Sequence, residues 1–502
     1  MKPGCPPLPP IPEAMDWEKF RENGHKVVDF IADYYQSLKE RKMPPQSAVE
    51  PGYLKQLIPQ KEAPPQPGAS FESILQSIQS SIIPGMTHWQ HPDFYAWFPA
   101  QLSPAALLGD TVASSLNQPG FNWMASPAAS ELEVIVTDWL ARALGLPPAM
   151  TWEGTGGGVL QPSASEAAVV ALLAAKNRSL DRFQTEVEKQ DASNKLVCYV
   201  SEQAHFCTEK AARILSIWHV RHIKTQRTAD GNYPMLAADV AAAMEADVKA
   251  GLIPCFIGEN YGTTGICATD DFERIAQLPL VKEYNVWLNL DAAYAGAVAV
   301  CPEMRAPLQP AFDTVDSLWV NGSKWFSLMT NASFQFFRDR RYVVQSLSAT
   351  GEYLANKYTA GSMVVDFKDY HLGLGRPFRA LKVYTTLQFM GIEGIQATIR
   401  RHCGLAQYLH HLLAAHADVF ELPLPAKFGL VCFRLANDED SKRTNKLLEM
   451  LQDERRIMLV HSELEGRTIL RIALAYPGLT GEDMEELVDY LVKKGQEVPS
   501  SL

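Results

Sequence analysis

Near the start of the chain, apolar positions recur at intervals of three and four. Val27, Val28, Ile31, Tyr34, Tyr35 and Leu38 follow Phe20 at that spacing. The pattern predicts an amphipathic helix. Residues 43–68 carry seven prolines and few apolar clusters. Proline forbids a continuous helix there, so an extended connector is expected. Helical spacing returns over 104–117 and again over 128–145, where Leu132, Ile135, Val136, Trp139 and Leu140 share one side. Gly145 and Pro147-Pro148 stop the second of these.

From 150 to 320 the period changes. Short apolar, β-rich runs (KLVCYVS, IPCFIGEN, VWLNLD, SLWVN) alternate with helical stretches such as 164–178 and 237–249. Strand–helix alternation predicts a parallel α/β sheet. A further long helix is expected to start near Pro377 and run past Phe389. Beyond 395, helices at 395–415, 438–452 and 480–494 alternate with the strands GLVCFRL and RTILRIAL. That gives three expected domains: an N-terminal helical segment over 1–115, a large α/β domain over 116–394, and a small α+β domain over 395–502. The first 13 residues are Pro-rich and expected to be loosely held.

Composition narrows the function. A chain of 502 residues with 47% hydrophobic and 21% charged positions resembles ordinary soluble proteins. Its net charge of −11, with no basic block, argues against nucleic acid as a partner. No apolar run is long enough to span a bilayer. The N-terminus has no apolar h-region, so a cytoplasmic location is expected. The C-terminal Ser500-Ser501-Leu502, a distant relative of the peroxisomal SKL address, is the alternative. The eight cysteines form no CxxC pair and no Cys/His cluster with zinc spacing, so neither a metal site nor a disulfide is expected.

The candidate chemistry lies at the ends of the apolar runs. Gly154-Thr155-Gly156-Gly157-Gly158 precedes Ser163-Ala164-Ser165-Glu166, which opens a helix with capping-box spacing. Free N–H groups at such a start attract phosphate, although the spacing fits neither Walker A nor GxGxxG. His205 follows KLVCYVS, and Thr264 follows IPCFIGEN. Asp291 ends VWLNLD and suits a pyridinium proton, or caps the next helix. Lys324 follows SLWVN among apolar neighbours, a setting that frees an amine as nucleophile, or it is a snorkelling lysine at a strand end. Each residue taken singly has an ordinary structural explanation. One site at successive strand ends is the more economical account of all five.

With these motifs the chain resembles the group II aromatic-L-amino-acid decarboxylases that depend on pyridoxal phosphate (PLP), which include plant tryptophan and tyrosine decarboxylases. The resemblance runs from Phe20 to Leu491 and rests on VVDFIADYY, PGYLKQLIP, IIPGMTHWQHPDFYAWFPA, NWMASPAASELE, GGGVLQPSASEA, LDAAYAGA, SKW and VVDFKDYHLGLGRPFRALK. It implies an aspartate-aminotransferase-like fold of type I and an intertwined homodimer. It also implies roles. Lys324 is the Schiff-base lysine, Asp291 the pyridinium partner, and His205 the residue stacked on the ring. Ala164, Ser165, Thr264 and Asn321 lie at or near the phosphate, and Trp89, Phe98, Pro99, Ala100 and Phe121 at the substrate.

The resemblance also bears on the outcome of the reaction. The family's catalytic tyrosine precedes a leucine in a mobile loop. Counting back from DFKDY places it on Tyr353, with Tyr358 as the competing assignment. Relatives that make aldehydes tend to carry Phe there, so Tyr353 points to a decarboxylase and leaves an aromatic aldehyde synthase as the alternative. Gly375 falls where indole-preferring relatives carry Gly and phenol-preferring ones Ser, which favours a tryptophan-like substrate. Three departures stand out: Gly322-Ser323 replaces the family's Pro-His, Ala100 replaces a Thr, and Pro119 replaces an aliphatic or Ser residue. Ser323 and Ala100 motivate a third reading, a catalytically silent relative, against which the retained Lys, Asp, His and Tyr weigh.

Overall fold

The computed structural model describes residues 16–58, 68–98, 100–348, 351, 358 and 364–500. By compactness the chain divides into two units. One comprises residues up to Phe94 together with Gln452–Met458, and the other comprises the rest.

The N-terminal unit is built on α1 (Trp17–Lys39), whose start is capped by the Asp16 carboxylate accepting from the N–H groups of Glu18 and Lys19. Within this unit Tyr34 Oη lies 2.8 Å from His88 Nδ1, and Arg41 pairs with Asp93 at 2.9 Å. In the described part of the Pro-rich connector, residues 43–58, the chain is irregular apart from one helical turn at Tyr53–Leu57. Trp17, Phe20 and Val28 leave apolar surface of α1 exposed.

In the larger unit, α2 (Pro104–Leu116) starts on a Ser103 cap with proline in its first turn. Next comes α3 (Pro127–Leu144), which ends at Gly145 in the left-handed conformation (φ 76°), as its sequence predicts. Seven strands then form the main sheet: β1 (Gly157–Gln161), β2 (Leu196–Ser201), β3 (His219–Ile223), β4 (Ile253–Asn260), β5 (Trp287–Asp291), β6 (Ser317–Asn321) and β7 (Ser333–Phe337). Their spatial order is β1-β7-β6-β5-β4-β2-β3. α4 (Ala164–Leu180) follows β1 and packs its alanine-rich, buried length against the sheet.

The sheet is mixed, and this corrects the expectation of an all-parallel one. β7 runs antiparallel to both β1 and β6, while the other pairs are parallel. The segment between β6 and β7 is too short for the crossover that a parallel neighbour needs, so the chain must double back. Six strands still point one way, and their carboxyl ends share one edge. Strands β4, β5 and β6 are buried along almost their full length, which explains their continuous apolar runs.

The long helix beginning near Pro377 is α5 (Arg379–Ala414), broken at Gly391 (φ 63°, ψ 170°). A second sheet follows, ordered β10-β11-β9-β8, from β8 (Phe420–Glu421), β9 (Leu430–Leu435), β10 (Val460–Leu464) and β11 (Arg467–Ala473). The helices Lys442–Glu454 and Gly481–Glu497 complete the C-terminal part. Among the described residues, no helix is long and apolar enough to cross a membrane.

Candidate active site

At the shared edge of the six co-directional strands lies a cavity of about 180 Å³. Eight of the expected residues line it: Phe98, Ala164, Ser165, His205, Thr264, Asp291, Asn321 and Lys324. β5 delivers Asp291 as its last residue and β6 delivers Asn321 as its last. β1 delivers the start of α4. The cap there is half a capping box: the Ser163 hydroxyl accepts from Glu166 N–H and donates to the Glu166 carboxylate at 2.9 Å. The cap uses the Glu166 N–H and leaves those of Ala164 and Ser165, two residues of the cavity lining, without a hydrogen bond among the described residues.

Asp291 is held from both sides of its chain. Its Oδ1 accepts from Ala293 N–H at 3.0 Å, and Oδ2 lies 4.0 Å from Cys207 Sγ. The His205 Nδ1 accepts from Cys207 N–H at 3.2 Å, so Nδ1 is unprotonated and any ring proton sits on Nε2. Burial pushes the His205 pKa down, and Lys324 adds to that while the Asp291 carboxylate opposes it. Lys324 makes no hydrogen bond among the described residues. Its Nζ stands 5.4 Å from the centre of the Phe98 ring. Desolvation lowers its pKa from the ordinary lysine value, against the pull of Asp291. The amine is thus desolvated, as the sequence leads one to expect, and its pKa shifts in the expected direction.

Other expectations are met differently. Ser323 does not line the cavity: its hydroxyl donates to Asn321 Oδ1 at 2.8 Å, so it serves its neighbour in place of a phosphate. Gly322 is crowded by Leu328 and Phe334; a Cβ there would lie 2.8 and 2.9 Å from their side chains. Phe121 and Gly375 do not line the cavity of their own chain. They belong to two neighbouring stretches joined by Gly120 N–H donating to the Arg376 carbonyl at 2.9 Å. Ala100 is half-buried and also absent from the lining. Trp89 belongs to the N-terminal unit, its ring 4.8 Å from that of Phe94. Tyr353 and Pro99 lie outside the described residues. Tyr358, the competing assignment, rests against Trp123 with ring centres 4.7 Å apart.

The structure also brings in residues that sequence reasoning missed, among them Cys207, Asn260 and Tyr294. Asn260 ends β4 as Asp291 ends β5, so the strand-end rule that found the acid would have found the amide. Tyr294 carried no such signal; it matters because its ring stacks on Phe98 at 3.7 Å. The Cys207 thiol is pushed up to about 12 by burial, which makes it a poor nucleophile. The seven described cysteines are all free thiols. Beside the cavity, and sharing His205 and Thr264 with it, opens a wider one of about 720 Å³.

An amine without a hydrogen bond, a carboxylate, a flat imidazole and open helix-start N–H groups fit an aldehyde cofactor with a ring nitrogen and a phosphate. They define a pyridoxal-phosphate enzyme. The chain belongs to the pyridoxal-dependent decarboxylase family, whose conserved domain matches residues 51–436. It is 40% identical to tyrosine decarboxylase 2 of Narcissus pseudonarcissus, over 93% of this chain and 92% of that one. It is 40% identical to tryptophan decarboxylase 2 of Oryza sativa subsp. japonica, over 92% of each. It is 38% identical to phenylacetaldehyde synthase of Arabidopsis thaliana, over 96% of this chain and 98% of that one. Among solved structures, that of Oryza sativa TDC with PLP and tryptamine matches with a TM-score of 0.91 at 34% identity, covering 97% and 99% of the two chains. The protein is a PLP-dependent carboxy-lyase of the group that unites aromatic amino acid decarboxylases and aldehyde synthases.

Proposed function

We propose that the protein decarboxylates an aromatic L-amino acid, tryptophan-like in preference to tyrosine, DOPA or phenylalanine, to the arylalkylamine and CO₂. The observation that carries this reading is the meeting of Lys324, Asp291 and His205 in one cavity beside the α4 start. Pyridoxal phosphate, when bound, supplies an electron sink for the pair left on the α-carbon as CO₂ departs. Lys324 is the amine that holds the cofactor aldehyde, and desolvation keeps part of it neutral for that task. Asp291 holds a proton on the pyridine nitrogen, because a partly buried carboxylate favours a cation beside it. His205, whose pKa burial pushes down, would stack on the cofactor ring. Ala164 and Ser165 offer N–H groups, and Thr264 its hydroxyl, to the phosphate, with Asn321 close by. Tyr353 returns the proton to the α-carbon.

The active form is a homodimer. In the larger unit Leu108, Val112 and Leu116 expose a stripe at four-residue spacing along α2, and Phe389 is 74% exposed. Faces of this kind ask for a partner. Phe121 and Gly375, absent from their own chain's cavity, reach substrate in the second subunit's site. The protein acts in the cytoplasm.

The test is a product assay on the purified holoenzyme with Trp, 5-hydroxytryptophan, Tyr, DOPA and Phe. CO₂ and amine in equal amounts are expected. The likeness to phenylacetaldehyde synthase supports the second reading, an aldehyde synthase. Ammonia, hydrogen peroxide and aldehyde as main products would establish that one. Failure to turn over any substrate sinks both.

A further inference from the structure

His402 lies on α5, outside the cofactor cavity, and is fully buried. Its two ring nitrogens are both used. Trp325 Nε1 lies 3.0 Å from His402 Nδ1, and His402 Nε2 lies 3.2 Å from the Tyr476 carbonyl. An indole nitrogen only donates, so Nδ1 must accept, and the ring proton must sit on Nε2, where it is donated to Tyr476. One neutral tautomer satisfies both contacts. Burial, which pushes the pKa down to about 4, keeps the ring in that form.

From His402 a row of nearly parallel rings leads into the cavity. The planes of His402 and Trp325 differ by 11°. Trp325 stacks on Tyr294 at 4.6 Å and 9°, and Tyr294 stacks on Phe98 at 3.7 Å and 18°. Phe98 and Tyr294 line the cavity, and Lys324 Nζ faces the Phe98 ring. The row has no slack beneath it: a Cβ on Gly429 would come within 2.7 Å of Tyr294 Oη and 3.3 Å of Trp325 Cζ2. Trp325 directly follows Lys324 in a single helical turn, Gly322–Trp325. One turn has no stiffness of its own, so its direction depends on what anchors its side chains. Trp325 is such an anchor, and His402 fixes the indole.

We propose that His402 is a positioning residue for the reaction: by accepting from Trp325 it locks the ring row and the direction in which Lys324 presents its amine. The proposal rests on the reading of Lys324 as the cofactor lysine. It predicts that loss of the acceptor harms turnover and the cofactor's environment more than it harms substrate affinity.

The test uses the full-length holoenzyme. His402→Leu removes the acceptor, His402→Asn keeps an oxygen near the Nδ1 position, and Trp325→Phe removes the donor. The readouts are kcat, KM, and the pH midpoint at which the visible absorbance of bound pyridoxal phosphate changes. His402→Leu is expected to lower kcat by about 10- to 100-fold, as small misplacements of reacting groups do, with KM within about threefold. The absorbance midpoint should move by about half a pH unit or more, since the lysine's surroundings change. His402→Asn should recover most of both. Trp325→Phe should reproduce the Leu defect, and the double variant should be no worse than either single. Wild-type kcat and midpoint in His402→Leu, equal defects in the Asn and Leu variants, or additive losses in the double variant each overturn the proposal. If His402→Leu fails to fold, a Trp325→Phe enzyme with wild-type kcat and midpoint overturns it. Lys324→Ala separates the two readings. Retention of the lysine-dependent absorbance in that variant defeats the assignment of Lys324, whatever the ring row does.

Discussion

Arg376 and Glu133 meet in a buried, two-pronged ion pair, the guanidinium donating to the two carboxylate oxygens at 3.0 and 2.7 Å. The pair also takes up the backbone of β1: Leu160 N–H donates to Glu133 at 2.9 Å, and Arg376 donates to the Leu160 carbonyl at 3.2 Å. It therefore ties together α3, the strand that leads into the phosphate-facing helix, and the stretch that carries Gly375. Removing one partner leaves a buried charge uncompensated. Arg376→Leu should destabilise the protein by about 3–5 kcal/mol in urea denaturation. The paired change Arg376→Leu with Glu133→Met should recover much of that loss. A single variant as stable as wild type would show that water reaches the pair.

Asp291 can be tested without disturbing its geometry. Asp291→Asn keeps an oxygen to accept from Ala293 N–H but removes the charge that holds a ring proton. The variant should still bind pyridoxal phosphate, and its kcat should fall by about 10²-fold or more, the scale of losing a preorganised charge interaction. Near-wild-type turnover would remove Asp291 from its assigned role.

Much of this arrangement was legible in the chain, and the reason is geometric. In a sheet whose strands run together, polar residues that end apolar runs must gather at one edge, so His205, Thr264, Asp291 and Lys324 could be grouped from order alone. What depended on contacts between distant segments was not legible. β1, Gly157-Gly158-Val159-Leu160-Gln161, continues a run of glycines that reads as a loop, yet it is a buried strand paired with β7. The Phe98–Tyr294–Trp325–His402 row joins four separate segments, and no local spacing announces it. Nor does the sequence show that the hydroxyl of Ser323, where the family has His, is taken by the neighbouring carboxamide of Asn321.

Glu259 gives a pH dependence that has nothing to do with catalysis. It lies fully buried on β4, and neither carboxyl oxygen has a hydrogen-bond partner among the described residues. Burial first, then the neighbouring Asp270 and Asp271, raise its pKa well above 4.5. The folded protein therefore holds a proton that the unfolded chain releases above about pH 4.5, the ordinary Glu range. Stability is full below that value and falls as pH rises toward the folded pKa, by up to about 1.4 kcal/mol per pH unit. Glu259→Gln is neutral at every pH and escapes this loss. Its urea midpoint should exceed that of wild type by more at pH 8 than at pH 5. A gap that is constant or shrinks with pH would mean that Glu259 is ionised in the fold.

Gly375 decides whether substrate choice follows pocket size. Its φ is not in the left-handed region, and a Cβ added there would meet no atom within 4 Å of its own chain. The backbone therefore does not require glycine, and Gly375→Ser should change stability by no more than about 0.5 kcal/mol. If the position faces substrate across the dimer, the hydroxymethyl group takes volume from an indole and leaves room for a phenol. The ratio of kcat/KM for tryptophan over tyrosine should then fall by about tenfold or more, the usual reach of one small group in an apolar pocket. An unchanged ratio in a well-folded variant would place Gly375 outside the substrate pocket. A large loss of stability would show instead that the position needs glycine for packing. Because the two results separate cleanly, this one substitution tests both the size argument and the assignment of Gly375 to a shared site.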